Sequence, residues 1–413
     1  MSSPALKADV PHALSNSFLP YGRQLIEDDD IAAVAEAMRG DYLTTGPYVE
    51  RFENALAKTV NAKHAVVCSN GTAALHMAAR ALNLGRGTKV IVPAITFLAT
   101  ASAPHMNGAD IVFADVDPET GLMRPEDLEA AFARAGHADA VFNVNLNGQC
   151  GESEALFAIA RDHGAKVVDD SCHAIGTAYI AGDGQVSPIG SNRFCDLSVF
   201  SFHPVKTIAM GEGGAVTTND PAVAKKLTLA RSHGMTRDPK DFVNVEDAFD
   251  ADGTPNPWYY ELIEPEFNWR ANDIQCALGL SQLGKLGRFV ARRRALAQAY
   301  DTLLAPLAPL VRPMARTRPC LPAWHLYVAR IDFERAGISR AQVMKRLTAH
   351  GIGSQVHYYP VHRQPYYEKR YGELSLPGAD RYYARALSLP LFASMTPSDV
   401  ERVVSALSDI LGL

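Results

Sequence analysis

Lys206 closes the run Ser201-Phe202-His203-Pro204-Val205-Lys206 and is followed by the glycine-rich Gly211-Glu212-Gly213-Gly214. A lysine enclosed by protein gives up its proton readily and then forms a Schiff base with a carbonyl carbon; on the surface it is a solvated cation. Asp169-Asp170 ends a second apolar run, Lys166-Val167-Val168. In open α/β sheets the carboxyl ends of strands line the ligand crevice, where a carboxylate keeps a ring nitrogen protonated; the alternative is a cap for the next turn. Ser69-Asn70-Gly71-Thr72 sits between a strand pattern and a helix pattern. Free N–H groups and the positive end of the dipole make a helix start a phosphate site, Gly71 lets the backbone come close, and Thr72 adds a hydroxyl. The same letters also make an ordinary helix cap. Singly, each stretch has a plain structural explanation. Together, in the order phosphate loop, carboxylate, then lysine 36 positions after Asp170, they supply the three needs of pyridoxal phosphate.

The surrounding pattern suits a scaffold that brings such residues together. Ala65 to Cys68, Val90 to Val92, Ile111 to Phe113, Ala140 to Phe142 and Lys166 to Val168 are short apolar runs separated by helical periodicities, such as Leu75, Ala78, Ala79 and Leu82. That alternation predicts an α/β layer with a mainly parallel sheet, extended by strands over 197–202 and 214–218. A first helix is expected over Asp28 to Met38, with three aspartates in its first turn. The polar stretch 231–270 reads as a long loop, and one long helix is expected from Asn272 to Leu303. The remainder, with a strand over 325–331 and a final helix from Pro397, reads as a smaller α+β unit. The expected division is a loose arm over 1–20, a large domain over 21–285 and a small domain over 286–413.

Composition narrows the function classes. The chain has 413 residues, 47% of them apolar and 21% charged, with a net charge of −5. A nucleic-acid binder would show a basic excess, so no nucleic-acid partner is expected. Six cysteines are scattered without a C-x-x-C pair and read as free thiols of a reducing compartment. No apolar leader or membrane-length run is seen, so a cytoplasmic protein with no membrane partner is expected. His357 and His362 are poorly spaced for a metal, and none is expected.

These motifs, with Leu43 to Pro47, Pro93 to Phe97, Asp169 to His173 and Asn268 to Leu278, resemble the DegT/DnrJ/EryC1/StrS group of nucleotide-sugar aminotransferases over nearly the whole chain. The resemblance implies the pyridoxal-phosphate fold type I, with a large, mainly parallel mixed sheet and a smaller C-terminal domain. It implies the cofactor pyridoxal 5′-phosphate, bound as a Schiff base to Lys206. Asp170 would pair with the ring nitrogen, His173 would lie near the ring hydroxyl, and Phe97 would stack on the ring. Gly71, Thr72 and Ser201 would contact the phosphate, and Asn268 would reach the phosphate of a neighbouring subunit, which implies a homodimer with shared sites. Tyr21 and Thr45 match positions near the sugar. The family's usual Glu-Asp pair is Asp169-Asp170 here, and Val144-Asn145-Leu146-Asn147-Gly148 replaces a common Val-His-x-x-Gly. The stretches 201–206, 273–283 and 353–367 look most like the branch serving pseudaminic acid formation. That likeness implies transfer of an amino group from L-glutamate to C4 of a UDP-linked 4-keto-6-deoxy-N-acetyl hexose. The alternatives are a dTDP- or GDP-linked or a 3-keto sugar, or a non-catalytic cofactor-binding regulator. A dehydratase relative would carry histidine where this chain has Lys206.

Overall fold

The computed structural model describes residues 18–413. Its centre is a seven-stranded sheet in the order 64–68, 214–218, 197–201, 166–170, 140–144, 89–93, 110–114. Strand Gly214–Thr218 runs antiparallel to both neighbours, and the other pairings are parallel. Six strands therefore end on one edge of the sheet. Cys68, Pro93, Val144, Asp170 and Ser201 lie along that edge, together with Gly214, the first residue of the reversed strand. The strands are nearly continuous apolar runs because helices cover both faces. Val67, Ile91, Val92, Phe142, Val168 and Val199 are completely buried.

Two further sheets have three strands each. One joins Val311–Pro313, Tyr327–Ile331 and Ala386–Leu389, antiparallel throughout. The helices Leu286–Leu304 and Pro397–Leu411 pack against each other beside it. The other joins Cys320–Leu321, Ala178–Ile180 and Val186–Pro188.

Three expectations need correction. The helix expected over 272–303 is two, Asp273–Leu283 and Leu286–Leu304. The break falls at Gly284-Lys285, where the Lys285 ammonium turns to meet Glu27, Asp29 and Asp30. The stretch 231–270 is not structureless. It begins within the helix Pro221–Arg231, pairs Met235–Thr236 with Glu261–Leu262 and holds a short helix, Val245–Ala248. The N-terminal arm lies outside the described residues up to position 17. Beyond that it is not loose: the Leu19 N–H donates to the Gly351 carbonyl (2.8 Å), and the Leu19 carbonyl accepts from Gly353 (2.7 Å). Burial of the Leu19 side chain explains why these last arm residues are held. Among the described residues, no helix is long and apolar enough to cross a membrane.

Asp273 ties the start of its helix to the turn ahead of helix Pro47–Val60. Its carboxylate is wholly buried and accepts from the N–H groups of Gly46 (2.8 Å) and Tyr48 (3.0 Å). A side chain at position 46 would meet Tyr42 and this same carboxylate at 2.5–2.7 Å, so glycine is required there. Asp273→Ala leaves two backbone donors without their charged acceptor. We expect a stability loss of about 2–4 kcal/mol, read as a lower urea midpoint. Asp273→Asn, which keeps one acceptor oxygen, should lose about half as much.

Candidate active site

The carboxyl edge of the sheet opens into a cavity of about 820 Å³. Asn70 starts the helix Gly71–Ala81 by accepting the Ala73 N–H on its side chain (2.8 Å). This leaves the N–H groups of Gly71 and Thr72 with no acceptor in the described chain, facing the cavity. A Cβ on Gly71 would lie 2.9 Å from Ser201 Cβ, and one on Gly214 would lie 2.3 Å from the Asn70 carbonyl oxygen. The two glycines let the loop, Ser201 and the reversed strand close around one small space. Free amides, the Thr72 and Ser201 hydroxyls and a helix start are the donor set a phosphate requires.

Asp170 lies at the end of its strand, and both carboxylate oxygens are engaged. Oδ2 accepts from Thr100 Oγ1 (2.6 Å), which in turn accepts from Thr96 Oγ1 (2.7 Å); Oδ1 accepts from the Cys172 N–H (3.1 Å). Asp169, its neighbour on the strand, points to the opposite face. There it accepts from Asn143 (2.9 Å), and burial lifts its pKa to about 6. The two acids are thus separated by the pleat, and only Asp170 faces the cavity.

Lys206 lines the same cavity. Loss of water around the amine pulls its pKa below the ordinary lysine range, and Cys172 and Asp170 offset this only in part. A lysine in this state offers the uncharged amine that Schiff-base formation needs.

His173 Nδ1 accepts from the Asn147 N–H (3.2 Å). A backbone amide can only donate, so the neutral ring carries its proton on Nε2, which faces the Tyr358 hydroxyl at 3.1 Å. Burial is the main cause that holds His173 well below its usual pKa. The ring of His325 lies 4.4 Å from that of His173. Of Val144 to Gly148, Val144 lines the cavity, while Asn145 to Gly148 are buried, and the Asn147 N–H orients His173.

The structure brings Tyr21, Gly71, Thr72, Phe97, Asp170, His173, Ser201 and Lys206 to one cavity. Phe97 is 54% exposed at its mouth, with its ring 6.0 Å from that of Tyr358. Thr45 and Asn268 are outside the cavity and exposed. Asn268 Oδ1 accepts from the Arg270 N–H (3.2 Å), while the next residue, Trp269, lines the cavity and accepts the Ser69 N–H on its carbonyl (2.7 Å). Sequence reading missed Thr100, His325 and the Asn147–His173 bond. Only His325 had a sequence signal, standing two residues ahead of the strand Tyr327–Ile331.

A phosphate cradle, a buried carboxylate and a desolvated lysine around one cavity define a pyridoxal-phosphate enzyme. Residues 24–408 match the DegT/DnrJ/EryC1/StrS aminotransferase family, and the chain belongs to it. It is a sugar aminotransferase that uses pyridoxal 5′-phosphate. It is 38% identical over 399 residues to the spore coat polysaccharide biosynthesis protein SpsC of Bacillus subtilis (strain 168), covering 96% of this chain and 98% of that one. Among solved structures it is similar to Helicobacter pylori PseC, an aminotransferase involved in the biosynthesis of pseudoaminic acid. The TM-score is 0.86 at 27% identity, over 96% of this chain and all of that one. It is also similar to the pyridoxal-phosphate form of the putative sugar aminotransferase Spr1654 from Streptococcus pneumoniae, with a TM-score of 0.83 at 26% identity, over 96% and 99% of the two chains.

Three buried histidines of the cavity wall, His173, His325 and His357, set a pH dependence. Burial is the largest cause in each: it holds His173 and His325 well below 6.5 and His357 at about 3. Their folded pKa values lie below the unfolded value, so their contribution to stability is complete above about pH 6.5 and is lost as pH falls below it. Asp169, raised to about 6, acts in the opposite sense, as one group against three. Between pH 6.5 and 5 the unfolding free energy should fall with decreasing pH, by up to about 1.4 kcal/mol per unit for each histidine. Urea titrations across that range check this; a flat or rising trend would contradict the assignment of neutral histidines.

Proposed function

We propose that this enzyme moves an amino group from L-glutamate to C4 of a UDP-linked 4-keto-6-deoxy-N-acetyl hexose of the L-arabino series, as in pseudaminic acid formation. The observation that carries this reading is the likeness to PseC over 96% of the chain, joined to the stretch Gly353 to Tyr367. That stretch supplies Gln355, His357, Tyr358, Tyr359 and Gln364 to the cavity wall.

The cofactor supplies an electron sink and carries the amino group between the two substrates. In this reading Lys206 would hold it covalently at rest. Once displaced, Lys206 Nζ takes the proton from the glutamate α-carbon and, in the second half of the cycle, delivers one to the sugar's C4. Asp170, whose oxygens Thr100 and Cys172 orient, would keep the ring nitrogen protonated. His173, with Nε2–H towards Tyr358, would serve the ring hydroxyl. Gly71, Thr72 and Ser201 would take the phosphate, Phe97 would cover the ring, and Tyr21 would meet the sugar. A second reading, another keto sugar nucleotide of dTDP, GDP or 3-keto type, is favoured by the 38% likeness to a spore coat polysaccharide protein.

Competition between the L-arabino and D-xylo 4-keto epimers, each with glutamate, tests the substrate. We expect the L-arabino epimer to be preferred by on the order of a hundredfold in kcat/KM. A preference for the D-xylo epimer, or amination only of a dTDP or GDP sugar, would sink this choice of acceptor while leaving the aminotransferase in place.

We also propose a homodimer with shared sites, because Asn268 and Thr45 lie outside the cavity of their own chain. In a mixture of Lys206→Ala and Asn268→Ala subunits, each inactive alone, heterodimers would hold one intact site and regain activity. Confirmed exchange without recovery would place each site within a single chain.

A further inference from the structure

Arg293, on the helix Leu286–Leu304, is the largest fully buried side chain among the described residues, at 1% exposure. Burial alone pulls its pKa down to about 10; no carboxylate offsets the loss of water. A buried guanidinium without a counter-charge is costly, and an apolar side chain of similar volume would fill the space for less. What the arginine does with that charge is specific. One nitrogen, Nη1, donates to the carbonyls of Trp324 (3.3 Å), His325 (3.1 Å) and Leu391 (2.9 Å), while Nε has no partner.

Those carbonyls sit where two strands part. Tyr327 and Leu389 are the last register pair of their ladder. His325 and Leu391 each lie two residues beyond it, and Arg293 spans the opening. From His325 the connection runs into the cavity: its N–H donates to the Asn147 carbonyl (2.9 Å), the Asn147 N–H donates to His173 Nδ1 (3.2 Å), and the two rings are 4.4 Å apart. From Leu391 it runs to a second lining residue: the Leu391 N–H donates to the carbonyl of Tyr21 (3.1 Å), whose ring lies 5.5 Å from that of His357.

We propose that Arg293 is a positioning residue for transamination, holding the main chain at 324, 325 and 391 so that the His325–His173 pair and Tyr21 keep their places in the cavity wall. Arg293 itself does not line the cavity. The proposal rests on the cavity being the transamination site. The charged and titratable groups acting on His325 are Lys206, His173, Arg293 and His357, and with burial all of them disfavour its protonation. Removing the guanidinium takes away one of these and frees the carbonyl that fixes the ring's main chain.

The test compares Arg293→Met and Arg293→Lys in the cofactor-loaded enzyme, with an NMR titration of labelled histidine beside the kinetics. In Arg293→Met we expect the His325 titration to move up towards 6.5. We expect kcat/KM to fall by about ten- to a hundredfold, through both the glutamate half-reaction and KM for the sugar nucleotide. Arg293→Lys, with three donors and the charge retained, should recover most of both. If Arg293→Met melts at a lower temperature but keeps the wild-type histidine titration, kcat and KM, the arginine is a structural clasp and the proposal is wrong. Should Arg293→Met fail to fold, Arg293→Gln removes the charge while keeping a donor, and the same two readouts decide. Because the titration needs no substrate, a wrong choice of acceptor sugar leaves its result standing.

Discussion

The constraint on which the site depends is the removal of water from an amine beside a carboxylate. Lys206 must be uncharged to react, yet Asp170 close by favours the ammonium. Burial wins this contest, and the lysine lies below its ordinary range. The sheet makes that burial possible. Six strands deliver their carboxyl ends to one edge, so the phosphate loop, Asp170, Ser201 and Lys206 surround a single cavity although they are spread over 138 positions between 69 and 206. The reversed strand Gly214–Thr218 closes the arrangement, bringing Gly214 against the Asn70 carbonyl.

Hydrogen-bond direction then fixes the protonation states around the lysine. Backbone amides are unambiguous donors, so the Asn147 N–H settles the His173 tautomer and the Cys172 N–H settles the role of one Asp170 oxygen. Thr96 and Thr100 pass hydrogens in one direction, towards the other oxygen. His173, His325 and His357 are all held below the ordinary histidine range, chiefly by burial, so these three rings line the cavity in their neutral form.

The sequence made many of the cavity-lining residues legible because their pattern is local. A strand end, a glycine and a helix cap lie within four positions at Ser69 to Thr72, and apolar runs mark the strand ends at Asp170 and Ser201. The mainly parallel sheet was legible for the same reason. What escaped is non-local. Thr100 reaches Asp170 across 70 positions and Asn147 reaches His173 across 26, and no spacing rule encodes either. The break at Gly284-Lys285 escaped because apolar periodicity continues through it; the acids that hold Lys285 lie some 255 positions earlier. The 231–270 excursion read as a loop because its two-residue strands are too short to show a period.

A cavity built this way has little net charge with which to choose between sugars. In the proposed reaction, selection would fall to polar groups whose directions are already committed: the Tyr358 hydroxyl next to His173 Nε2, and His357, whose Nδ1 is engaged with Ser388 Oγ at 2.7 Å. A committed group cannot turn to meet an epimer whose hydroxyl points the other way. The wrong sugar therefore leaves a buried donor or acceptor unpaired, at about 1–3 kcal/mol for each. Two such mismatches amount to on the order of a hundredfold or more. The rigidity that keeps the histidines neutral and the strand ends apart is thus the same rigidity from which stereochemical discrimination is built. Any residue that holds those strand ends in place contributes to both.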